Sequence, residues 1–120
     1  MATIFLADDD SEVRALFRQM LEAGAHAVVV GRSGAALIED LAANAYDVVV
    51  TDLHMPVVDG WAVLRWLKAN RPGVPVIAAG GDSGPPASMD GFAAVLQKPF
   101  RRAELLAAVA TVVRKTDVRP

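Results

Sequence analysis

Asp8, Asp9 and Asp52 are the residues of this chain best placed to do chemistry, and Lys98 is the group that would complete them. Each follows a short apolar run. Ile4-Phe5-Leu6-Ala7 stops at Asp8-Asp9-Asp10, Val48-Val49-Val50-Thr51 stops at Asp52, and Ala93-Ala94-Val95-Leu96 stops near Lys98-Pro99. If the runs are parallel neighbours in one sheet, their carboxyl ends bring several acids and one amine into a single pocket. Clustered carboxylates gather a divalent cation, and an amine beside them can hold a phosphoryl oxygen, so the pocket suits metal-assisted phosphoryl chemistry. A lone aspartate after a strand is ordinarily a turn former or helix cap, which is the reading for Asp10. Agreement between separate strand ends sets Asp8, Asp9 and Asp52 apart.

The elements that must position these groups alternate along the chain. Thr3–Ala7 reads as a strand. From Ser11 the period lengthens: Val13, Leu16, Phe17, Met20 and Leu21 mark one face of a helix that Ser11 would cap and Gly24 would close. Ala27–Val30 is a second strand, followed by a helix near Ala35–Asn44 carrying Leu37, Ile38 and Leu41. Asp47–Thr51 is β-branched, as a buried strand requires. Asp59-Gly60 opens a helix with Trp61, Leu64 and Leu67 inward, ended by Arg71-Pro72-Gly73. Trp66 lies off that stripe, and both tryptophans read as packing residues. Val74–Ala79 and Val95–Gln97 are the last strands, and Arg102–Arg114 is a helix with Leu105, Leu106, Val109, Val112 and Val113 inward. Gly80-Gly81-Asp82-Ser83-Gly84-Pro85-Pro86 interrupts the rhythm where a fourth helix should begin; its glycines and prolines disfavour helix and leave only Ala87–Phe92 for one or two turns.

Strand–helix units joined by short loops imply an α/β fold, a parallel sheet covered on both faces. At 120 residues the chain is sized for one domain over residues 1–120. It has no run near the ~20 apolar residues of a membrane span and no basic segment of a signal peptide. The absence of cysteine excludes disulfides and thiolate chemistry, and a net charge of -2 without a basic tract argues against direct nucleic-acid binding. A cytoplasmic domain that neither crosses a membrane nor binds nucleic acid is the expectation.

Asp8, Asp9 and Asp52, with Met55-Pro56, Asp59-Gly60 and Lys98-Pro99-Phe100, resemble the receiver domain of two-component response regulators, in order and over essentially the whole chain. The resemblance implies a flavodoxin-like (βα)5 doubly wound sheet of order 2-1-3-4-5, here with a shortened or disordered fourth helix. It implies that Asp52 accepts a phosphoryl group from a histidine kinase or histidine phosphotransfer protein. Mg²⁺ would be held by Asp9, Asp52 and the backbone carbonyl of His54, with Asp8 acting largely through water, while Lys98 meets a phosphoryl oxygen. Such a domain catalyses only its own phosphorylation and dephosphorylation. A downstream protein would read it on the face formed by the fourth helix, the fifth strand and the last helix, where Ala103, Ala107 and Ala110 permit close packing.

Two positions depart from the family. The hydroxyl residue that normally ends strand four is replaced by Gly80, and the aromatic three residues before the lysine by Val95. The expected substitute is an anion-binding nest of the Gly80 and Gly81 N–H groups with the Ser83 hydroxyl, ordering the loop on the phosphate. Met1 directly before the first strand favours a natural start, so a single-domain regulator or phosphate shuttle is expected, with an excised receiver as the alternative. A phosphorylation-independent interaction module is the competing class; retention of all three acids opposes it, because clustered carboxylates without a cation repel. A haloacid-dehalogenase-type phosphohydrolase would place Thr or Val where Glu12 stands, and an FMN site would need a first loop without three aspartates.

Overall fold

The computed structural model describes residues 2–53, 55, 57–80, 91–97 and 100–117, with side chains up to residue 113 in the last helix. The elements run β1 (Thr3–Ala7), α1 (Ser11–Ala23), β2 (Ala27–Gly31), α2 (Gly34–Ala43), β3 (Val48–Thr51), α3 (Gly60–Asn70), β4 (Val76–Gly80), β5 (Ala94–Gln97) and α4 (Arg102–Asp117). All strand pairs are parallel, in the order β2-β1-β3-β4-β5. This is the doubly wound architecture expected from the sequence. The loop and short fourth helix expected over residues 80–92 fall mainly on 81–90, outside the described residues.

Strand alternation divides the core in two. Ile4 and Leu6, Val48 and Val50, and Ile77 and Ala79 face α1 and α4, where Phe17, Leu21, Leu105, Val109 and Val112 meet them. Phe5 and Ala7, Val49 and Val76 face α2 and α3, against Leu37, Leu41, Val63, Leu64 and Leu67. A period of two therefore suffices to serve both layers of helices. Each fully buried Leu or Ile contributes about 1.5–3 kcal/mol by leaving water. Aromatic contacts close both layers: Phe17 and Phe100 stack tilted with centroids 4.8 Å apart, and Phe5 meets Tyr46 edge to face at 5.3 Å.

Several sequence expectations need correction. Asp10, rather than Ser11, caps α1, because its carboxylate accepts from both Glu12 N–H and Val13 N–H. Gly24 does end that helix, but at φ -88°; the left-handed residue is Ala25, at φ 65°. A Cβ at Gly24 would lie 2.5 Å from Leu106 Cδ2, the end of a side chain that would have to turn aside. Leu16 is 49% exposed although it shares the apolar spacing of α1, because only Phe17 and Leu21 reach full burial there. On α3 the inward residues are Val63, Leu64 and Leu67, whereas Trp61 is half-buried; Trp66 packs against the core from the edge.

Candidate metal centre

The pocket is assembled by register. Ala7 pairs with Thr51 at the ends of β1 and β3, so the residues that follow, Asp8 and Asp52, leave the sheet side by side. The Asp52 N–H donates to the Ala7 carbonyl (2.9 Å), extending the ladder one step beyond the strands. β1 lies between β2 and β3, which makes this the point where the chain reverses its winding direction and a crevice opens. One carboxylate oxygen from each of Asp8, Asp9 and Asp52 lies within 4.8 Å of the others. Asp8 is 1% and Asp52 8% exposed, while Asp9 faces solvent.

The surrounding backbone holds each acid. Asp8 N–H donates to the Gly31 carbonyl (3.2 Å), and Asp8 Oδ1 accepts the Asp10 N–H (2.9 Å). The Asp8 carbonyl accepts Arg14 Nη1 (2.8 Å). Asp10 turns away to cap α1, as its expected role requires. On the other side, α3 begins directly behind Asp52. Asp59 caps it by accepting the Ala62 N–H (2.9 Å), and the Gly60 N–H donates to the Leu53 carbonyl (3.0 Å). A Cβ on Gly60 would stand 2.6 Å from the Asp52 carbonyl oxygen, so only glycine permits this approach. Between them, Val57 sits fully exposed at φ 67°, a conformation costly for a β-branched residue.

An all-oxygen set of carboxylates with one member open to solvent fits Mg²⁺, which binds through one or two carboxylates and keeps several waters. The mutual repulsion of three acids is relieved by such a cation. Of the other residues anticipated for the site, Gly80 is the last residue of β4 and pairs with Gln97 at the end of β5. His54, Gly81, Ser83 and Lys98 lie outside the described residues. Val95 occupies β5 with 40% exposure. Sequence reasoning missed two supports, Arg14 and the steric role of Gly60. Arg14 carried a weak signal, one turn past the capping Asp10; Gly60 was legible only as the start of α3, because its approach to Asp52 depends on how the loop between them folds back.

Fold and pocket together define a doubly wound α/β domain with a cluster of three carboxylates in the crevice at its switch point. Residues 4–110 match the response regulator receiver domain, and the chain belongs to that family. Its relatives include the DNA-binding transcriptional regulator NtrC of Rhizobium meliloti, 32% identical over 99% of this chain and 25% of that protein. Response regulator MprA of a Mycobacterium species is 33% identical over 95% of this chain and 51% of that protein. The chain thus spans about a quarter to a half of these curated relatives. Among solved structures, the receiver domain of Francisella response regulator 1452 superposes with a TM-score of 0.90 at 26% identity, covering 98% of this chain and all of that one. A receiver domain protein of Clostridium thermocellum superposes at 0.85 with 27% identity, over 96% of both chains. Membership of the family places the chain in two-component signal transduction, a role that implies a histidine kinase or phosphotransfer partner. No helix among the described residues is long and apolar enough to cross a membrane.

Proposed function

We propose that the domain accepts a phosphoryl group on Asp52 from a histidine kinase or histidine phosphotransfer protein in a Mg²⁺-dependent reaction. The observation that carries this reading is the convergence of Asp8, Asp9 and Asp52 within 4.8 Å at the ends of β1 and β3. Asp9 and Asp52 would ligate the ion directly, joined by the His54 carbonyl, with Asp8 acting through water. When bound, the ion neutralises charge between the carboxylate and the incoming phosphoryl group. An Asp52 carboxylate oxygen attacks phosphorus, the bond to the donor's imidazole nitrogen breaks, and that nitrogen keeps the electron pair. The product is an aspartyl acyl phosphate. Lys98, one residue beyond Gln97 at the end of β5, places positive charge on a phosphoryl oxygen. The domain acts on no substrate beyond its own phosphorylation and dephosphorylation, and passes the signal on by conformational change or onward transfer. A downstream protein would bind the side that carries β5 and α4.

The fourth strand bears on how phosphate is read. Gly80 ends β4 without a hydroxyl and Val95 stands on β5 without an aromatic ring; the Gly80 and Gly81 N–H groups with the Ser83 hydroxyl would take over the contact with phosphate. Incubation with Mg²⁺ and acetyl phosphate, followed by intact-mass measurement, tests the proposal. A phosphoryl adduct on the wild type that is absent from Asp52→Asn supports it. Donor turnover without an adduct indicates a hydrolase, and no reaction at all indicates a phosphorylation-independent interaction module of the same fold.

A further inference from the structure

We infer that Arg14 is a positioning residue for the metal centre, holding the β1–α1 loop so that Asp8 and Asp9 present their carboxylates to the cation. The inference rests on the reading that Asp8, Asp9 and Asp52 hold Mg²⁺. Asp8, Asp9 and Asp10 make up the entire connection between β1 and α1. Three adjacent negative charges in so short a loop repel one another and would splay it. Asp10 is restrained by capping α1, and Asp8 at its N–H by Gly31. The Asp8 carbonyl, which adjoins the peptide leading to Asp9, is restrained by Arg14 Nη1 at 2.8 Å.

What Arg14 does not do matters as much. Among the described residues it forms no ion pair with a carboxylate; the ion pair on α1 is Arg18 with Glu22 (3.2 Å). An arginine placed to neutralise the acids would compete with the metal for the same oxygens. Spending its hydrogen bond on a carbonyl lets the guanidinium tie down the loop without itself occupying a carboxylate oxygen. A guanidinium also keeps its charge at every accessible pH and presents its donors in a rigid plane, which a lysine does not reproduce. Arg14 is half-buried on the first turns of α1, with Ser11, Ala15, Arg18 and Val30 around the adjoining cleft of about 190 Å³, so the helix fixes where its donors point.

The two possible roles of a cation near a cation site predict opposite signs. If Arg14 acted only through its charge, its removal would relieve repulsion and tighten Mg²⁺ binding. If it positions the loop, its removal weakens binding by roughly tenfold, the usual size of losing an outer support of a metal ligand. Calorimetric titration of Mg²⁺ into the wild type, Arg14→Gln, Arg14→Lys and Arg18→Gln separates these, with thermal unfolding in chelator as the measure of folding. Weaker binding by both Arg14→Gln and Arg14→Lys, with Arg18→Gln near the wild type, is the expected result. Because Arg14→Lys keeps the charge, its loss of affinity isolates the hydrogen bond, and it remains informative if Arg14→Gln folds poorly. Affinity unchanged or tighter in both Arg14 variants overturns the inference while leaving the metal centre standing. Absence of Mg²⁺ binding by the wild type overturns both.

Discussion

Gly60→Ala puts the support behind Asp52 to a direct test. The added methyl would lie 2.6 Å from the Asp52 carbonyl oxygen and 2.9 Å from Leu53 Cα, against the 3.4 Å at which ordinary contact begins. Both obstacles are backbone and cannot swing aside as a flexible side chain would. Gly60 does not use a left-handed φ, so the substitution adds no backbone strain, and alanine would favour the helix by up to about 1 kcal/mol. Overpacking against rigid neighbours costs roughly 1–3 kcal/mol. The steric term wins, for a net loss of about 1–2 kcal/mol, or roughly 4–10 °C in Tm for a domain of this size. Gly73→Ala is the control: nothing lies within 4 Å of its Cβ position, and shortening the list of unfolded conformations should stabilise by about 0.4–1 kcal/mol. Urea unfolding of both variants measures the difference, and Mg²⁺ titration of Gly60→Ala reports whether Asp52 has moved. Gly60→Ala as stable as the wild type, or a Gly73→Ala loss of equal size, would refute the steric reasoning.

Other perturbations separate metal, cap and strain. Mg²⁺ at a hundred times its Kd should raise stability by about 2.7 kcal/mol, seen as a higher Tm, and Asp9→Asn should remove most of that gain. Asp10→Ala should cost about 1 kcal/mol of stability by removing the α1 cap, yet leave Mg²⁺ affinity near the wild type, because the Asp8 backbone stays held by Gly31 and Arg14; a tenfold loss would make the cap a further support of the loop. Val57→Gly should stabilise by about 0.5–1 kcal/mol in urea unfolding, since relief of left-handed strain of roughly 1–2 kcal/mol exceeds the entropy glycine adds to the unfolded chain. His26 Nδ1 accepts the Ala2 N–H (3.1 Å), and burial, followed by the positive amino terminus, lowers its pKa below 6.5. The folded state therefore disfavours the proton. The His26 contribution is present above pH 6.5 and is lost as the pH falls through the lowered value, so His26→Asn should flatten the stability profile in that window.

Much of the fold was legible because it is local. Alternation of β-branched runs with helical periods named the elements to within a few residues, and Asp59 announced the start of α3 from its residue type and the glycine beside it. The acids were legible for a related reason, since a charged residue directly after an apolar strand can only leave the sheet at its carboxyl end. Periodicity failed where burial depends on neighbours from elsewhere in the chain. Leu16 has the spacing of a core residue and is half exposed, while Val63 was overlooked and is fully buried, because α1 and α3 each present a narrower face to the sheet than their sequences offer. The choice of Asp10 over Ser11 as cap likewise turned on a one-residue difference in where the helix begins.

The sequence by itself determined which chemistry is available: three carboxylates at the ends of apolar strands, a lysine after the last strand, no thiol, and no hydroxyl at the end of β4. Tertiary structure decided that the acids form one site. Pairing Ala7 with Thr51 across 44 residues of chain sets Asp8 beside Asp52, and a slip of one residue in that register would send the following side chains to opposite faces. It also decided what stands behind them, the Gly60 backbone against the Asp52 carbonyl and the Arg14 guanidinium on the Asp8 carbonyl. Residue type is a property of one position, whereas register and close approach are settled by the packing of both helix layers against the sheet at once.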